Sequence, residues 1–130
     1  MQNPQVKNKI GTWPGDPYQK LLSYAFWLLG RKAYAEKELE RKLREKVKRS
    51  QLGVDEPTIQ RVLARLRELN YLDDRVFVQQ YLESRIALRP RGKFYFLRDL
   101  SRRGIGEHLF HDVWKTLQLD EEALARRVLE

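Results

Sequence analysis

The sequence predicts an all-α protein made of tandem three-helix (helix-turn-helix-like) repeats, two complete units followed by the start of a third. Three observations lead there. Apolar residues recur at three- and four-residue steps from Tyr18 to Leu117, and no segment alternates as a strand would. The helical pattern also maps onto itself, at shifts of 57 and then 51 residues.

Residues 1–16 hold Pro4, Gly11, Pro14 and Gly15 without a hydrophobic period, and are expected to form a flexible lead-in that Trp13 could anchor. The first helix follows, with Tyr18, Leu21, Leu22, Ala25, Leu28 and Leu29 as its apolar positions. A second starts near Ala35 and turns Leu39, Leu43 and Val47 inward. The third is the best marked: Asp55 is its N-cap, Pro57 lies in the first turn, and Ile59, Val62, Leu63, Leu66 and Leu69 share a face.

Asp73 and Asp74 open a fourth helix with Phe77, Tyr81 and Leu82 inside, broken at Arg89-Pro90-Arg91-Gly92. A fifth runs from about Lys93 to Arg103, with Phe96 and Leu100 inward, until Gly104 stops it. A sixth spans Glu107 to Leu117, its inner residues being Leu109, Phe110, Val113, Trp114 and Leu117. Asp120, Glu121 and Glu122 begin a seventh.

In the self-alignment Leu39 and Leu43 fall on Phe96 and Leu100, while Val54, Ile59, Val62, Leu63 and Leu66 fall on Ile105, Phe110, Val113, Trp114 and Leu117. The difference of six between the two shifts is an insertion around Lys48 to Gly53, expected to make that connection longer and more mobile. The resulting organisation is a lead-in over 1–16, one unit over 17–70, a second over 71–118, and the first helix of an incomplete third over 119–130. That last helix is expected to dock over Phe94 and Leu97.

Charge narrows the function. With 26 Lys+Arg against 18 Asp+Glu the chain carries a net +8, which points to an acidic partner. Arg31 to Arg49 has nine Lys/Arg and four Glu; Arg85 to Arg103 has seven Lys/Arg and one Asp, so the positive charge sits in two blocks. No Cys is present, which removes disulfides, Cys–zinc sites and thiol nucleophiles and favours a reducing compartment. Met1 to Asp16 has no apolar core of a secretion signal, and Leu21 to Leu29 is far shorter than the roughly 18–20 residues of a membrane span. A cytoplasmic protein without membrane association is expected.

Catalytic chemistry finds no constellation. His108 and His111 stand three apart beside Glu107 and Asp112, but no further ligand lies at metal spacing, and an exposed helical edge explains them. Gly92-Lys93 lacks the rest of a phosphate-binding loop, and the Glu residues of the second helix alternate with Lys and Arg as an ion-paired face does. No enzyme, cofactor or metal is expected.

The nucleic-acid reading rests on one stripe: Phe94, Arg98 and Arg102 at four-residue steps, with Arg85, Arg89, Arg91 and Lys93 before it and Arg103 after. A merely solvated basic face is the competing reading. The repeat adds that Phe94, Tyr95 and Leu97 correspond to Lys37, Glu38 and Glu40, so these apolar residues face outward and call for a cover, either a partner or the neighbouring unit.

Three stretches in order resemble the RecX family of recombinase regulators: Leu28-Leu29-Gly30-Arg31-Lys32 with Glu38-Leu39-Glu40-Arg41-Lys42-Leu43, Leu69-Asn70-Tyr71-Leu72-Asp73-Asp74-Arg75-Val76-Phe77, and Arg91-Gly92-Lys93 through Leu100-Ser101-Arg102-Arg103-Gly104-Ile105. The chain departs from the family at Ala35, where a capping Ser is usual, at the apolar Phe94, Tyr95 and Leu97, and in a third unit that stops within its first helix. The resemblance implies a non-enzymatic modulator, mostly an inhibitor, of the RecA recombinase. Such a protein binds RecA filaments on single-stranded DNA and lowers ATPase and strand exchange. The implied partner is the RecA filament, with single-stranded DNA bound weakly or through it, and a monomer is expected. Arg31 and Lys32 join the residues above as contact candidates. The alternative is a direct DNA-binding helix-turn-helix regulator, although neither basic helix presents Asn, Gln and Arg at base-reading spacing.

Overall fold

The computed structural model describes residues 10–117, and all regular structure among them is helical. After a 3-10 turn at Ile10–Thr12 come α1 (Pro17–Leu29), α2 (Glu36–Ser50), α3 (Glu56–Glu68), α4 (Asp74–Leu88), α5 (Lys93–Arg102) and α6 (Glu107–Thr116). The chain divides into two compact units between Leu72 and Asp73, each containing three of these helices. The seventh helix expected over 119–130, and its docking, lie outside the described residues.

In the first unit every helix packs on the other two, because each brings a stripe at three- and four-residue spacing. Leu21, Ala25, Leu39, Leu43, Val62 and Leu66 are completely buried there. Asp16 caps α1 by accepting from the Gln19 backbone N–H at 2.8 Å, while the Gln19 side chain accepts from Asp16 N–H at 3.0 Å. Asp55 caps α3, accepting from the backbone N–H of Thr58 at 3.0 Å and from its hydroxyl. At α2 half of such a box survives: Glu38 Oε1 accepts from Ala35 N–H at 3.2 Å, but Ala35 has no oxygen to return.

Two expectations change. Residues 10–16 were expected in a flexible lead-in, yet Ile10 is fully buried in the first unit's core and Trp13 packs against Tyr24 at 6.1 Å between rings. One Ile carries no period, so periodicity missed it; Lys20 Nζ, donating to Gly11 O at 2.8 Å, helps hold the turn. The insertion is mostly helix rather than loop: α2 has 15 residues and α5 has 10, so five of the six extra residues lengthen α2. Gln51 then ends the helix in the left-handed region at φ 52°, with Leu52 N–H donating to Val47 O at 3.3 Å.

In the second unit α4 and α5 pack chiefly on α6. Phe96, Leu100, Phe110, Val113 and Trp114 form its centre, with Phe110 stacked on Trp114 at 5.7 Å. The turn from α5 to α6 is a Schellman closure: Gly104 sits at φ 89°, its N–H donates to Ser101 O, and Ile105 N–H donates to Leu100 O, both at 3.0 Å. Tyr81 of α4 meets Phe96 of α5 edge to face at 6.3 Å, and a groove remains open between the two helices.

Candidate functional site

The two basic blocks fold into different units. In the first unit Arg44 is held by Glu40 and Glu56, and Arg67 by Glu36. Lys46, one of the nine cations of the block, is 6% exposed with its ammonium 5.0 Å from the Tyr24 ring; burial, then Arg49 nearby, lower its pKa. Arg31 and Lys32 are exposed just past α1, lying over the Trp27 and Tyr34 rings at 4.9 and 4.7 Å. Among the described residues the other five cations of this block, Lys37, Arg41, Lys42, Lys48 and Arg49, have no carboxylate within ion-pair distance.

The second block is likewise mostly unpaired, with Arg103 beside Asp99. Among the described residues no carboxylate lies within ion-pair distance of Arg85, Arg89, Arg91, Lys93, Arg98 or Arg102. The α4–α5 groove, about 540 Å³, is lined by Tyr81, Arg85, Leu88 and Arg89 from α4 and its end, and by Tyr95, Phe96, Arg98, Asp99, Arg102 and Arg103 from α5 and its end. Such a volume suits a ligand the size of a nucleotide or a few side chains.

The floor is a hydrogen-bonded pair. The Tyr81 hydroxyl donates to Asp99 Oδ2, and Arg103 Nε lies 3.6 Å from the same oxygen. Burial first, then this hydrogen bond and the Asp99 charge, push the Tyr81 pKa well above its usual range, so the phenol stays protonated as a donor. Arg85 and Arg103 lie over the Tyr81 ring at 5.2 and 5.5 Å, and Arg91 over Tyr95 at 5.2 Å. Stacking of this kind restricts a guanidinium while leaving its N–H edges free to donate.

The structure therefore brings together Arg85, Arg89, Tyr95, Arg98, Arg102 and Arg103 from the sequence candidates. Lys93 and Phe94 do not line the groove, and Arg91 adjoins it only through Tyr95. Phe94 is 69% exposed and Tyr95 54%, while Leu97 is half-buried. The repeat register prevails over their hydrophobicity, since the corresponding Lys37, Glu38 and Glu40 also lie at exposed or half-buried positions. Sequence reasoning placed Tyr81 in the core and met Asp99 only as the lone acid of its block; their meeting needed the helix packing. Among the described residues no group of three or more His, Cys, Asp or Glu could hold a metal, and no helix is long and apolar enough to cross a membrane.

Residues 22–66, from α1 almost to the end of α3, match the family model of the first three-helix domain of RecX. A regulatory protein RecX from Chlorobaculum tepidum is 34% identical over 91 residues, covering 70% of this chain and 53% of that protein. The one from Pelodictyon phaeoclathratiforme is 28% identical over 109 residues, covering 84% and 63%. The chain thus spans between about half and two thirds of the length of these relatives. The crystal structure of RecX from Lactobacillus salivarius superposes with a TM-score of 0.69 at 22% identity, over 77% of this chain and 61% of that one, which shows a shared fold. With the matching first domain, the ordered motifs and the all-helical repeat in agreement, this chain belongs to the RecX family.

Proposed function

We propose that this chain is a non-enzymatic modulator, chiefly an inhibitor, of the RecA recombinase. In this reading it acts in the cytoplasm as a monomer, bound to RecA filaments on single-stranded DNA, and lowers ATPase and strand exchange. Family membership supports the class of function. The observation that carries the role of the second unit is the set of four cations, Arg85, Arg89, Arg98 and Arg102, that line an open aromatic groove with no carboxylate within ion-pair distance among the described residues. Uncompensated arginines are costly to keep together and are most useful where an acidic partner completes them. A filament offers both protein carboxylates and DNA phosphates.

The test is DNA-dependent ATP hydrolysis by RecA, titrated with this protein beside a measurement of its binding to naked DNA under the same salt. Inhibition at concentrations where naked DNA is barely bound supports filament modulation. Inhibition that only follows coating of the DNA favours a direct DNA-binding regulator instead.

A further inference from the structure

We infer that the α4–α5 groove holds one unpaired nucleotide of single-stranded DNA and prefers a base with an exocyclic amino group, such as cytosine, over thymine. The inference rests on the nucleic-acid side of the proposed function and names the ligand at that site. Tyr95, Arg98, Asp99 and Arg102 lie three, four and seven residues along α5, so they form one stripe, opposite in role to the buried Phe96 and Leu100.

Each member offers a different part of a nucleotide its complement. Tyr95 is a half-open ring on which any base can stack. Arg98 and Arg102 are exposed guanidiniums with no carboxylate partner among the described residues, suited to the flanking phosphates. Asp99 is the unusual member: a carboxylate in an otherwise cationic groove. Its Oδ2 takes both the Tyr81 hydroxyl and the Arg103 contact, and among the described residues no donor reaches Oδ1.

That open oxygen separates the possible occupants. The carboxylate of an acidic peptide would meet like charge at the floor. A cytosine N4 amino group would instead donate to Oδ1, the pairing expected between Asp and cytosine. Thymine has no amino group, and its N3–H lies between two carbonyl oxygens that would face the same carboxylate. The base must be unpaired and unstacked, because in a duplex its neighbours cover the faces that Tyr95 would stack on.

The experiment is fluorescence anisotropy with the full chain and labelled dC12 and dT12, pyrimidine strands of equal length, at low salt. Expected is binding to dC12 tighter by about tenfold or more, the scale of one well-placed hydrogen bond to a charged group. Asp99→Asn should bring the ratio near one. Tyr95→Ala should weaken both strands by about fivefold or more and leave the ratio standing. Far-UV circular dichroism checks the fold of each variant, and the wild-type comparison decides the matter even if Asp99→Asn is unstable. Equal affinity for the two strands overturns the inference, as does displacement of dC12 by oligoglutamate at lower concentration than by dT12, which would assign the groove to an acidic peptide. Either failure with RecA inhibition intact leaves the proposed function standing; lost inhibition with the base preference intact removes that function alone.

Discussion

The Tyr81 hydroxyl donates to Asp99 Oδ2, tying an inward residue of α4 to the exposed stripe of α5. This bond closes the floor of the groove and fixes which oxygen of Asp99 remains open. It also links stability to alkaline pH. The folded-state pKa of Tyr81 is raised, so its contribution is complete below the unfolded value of about 10 and is lost as pH rises toward the folded one. Tyr24 and Tyr34 are shifted the same way by burial and add to the effect.

Tyr81→Phe is therefore expected to destabilise the second unit by about 1–2 kcal/mol, the loss of one hydrogen bond to a charged acceptor. It should also flatten, without abolishing, the fall in stability above pH 10. Urea unfolding from pH 8 to 11 measures both; an unchanged alkaline slope would show that Tyr81 does not report the bond.

Gln51→Gly should stabilise the first unit by about 0.5–1 kcal/mol, since a residue with a Cβ is held at φ 52° where glycine meets no penalty. Gly104 already fills the corresponding helix end in the second unit. Thermal unfolding checks this, and a lower melting temperature would mean that the Gln51 side chain contributes more than its backbone costs.

Ala35→Ser should restore the missing half of the α2 cap, its hydroxyl accepting from the Glu38 backbone N–H, for about 0.5–1 kcal/mol. Ala35 is fully buried, so the new oxygen must make that bond. A drop in melting temperature would show that the site has no room for it.

Most of the fold was legible because helices announce their faces and ends: the Asp55 cap, Pro57 and the Ile59–Leu66 stripe need no tertiary knowledge. The site was legible only as a composition. The Arg85–Arg103 block identified the cations, but Phe94 and Tyr95 both lie near the stripe through Arg98, and only the position of α4 selects Tyr95 for the groove. Tyr81 read as core because its ring is core; its hydroxyl reaches past that core to Asp99. Lys46 shows the converse, a residue whose charge suggested solvent while the Tyr24 ring covers it.

The central claim is that the uncompensated arginines of α5 engage a RecA filament, and co-sedimentation with RecA on single-stranded DNA tests it most directly. Arg98→Glu/Arg102→Glu changes two exposed residues outside the Phe96/Leu100 face, so its stability should move by only about 0.5 kcal/mol per site. Wild-type protein is expected to pellet with the filaments, and the double variant, equally folded, to remain largely in the supernatant. Equal sedimentation of the two would contradict the account.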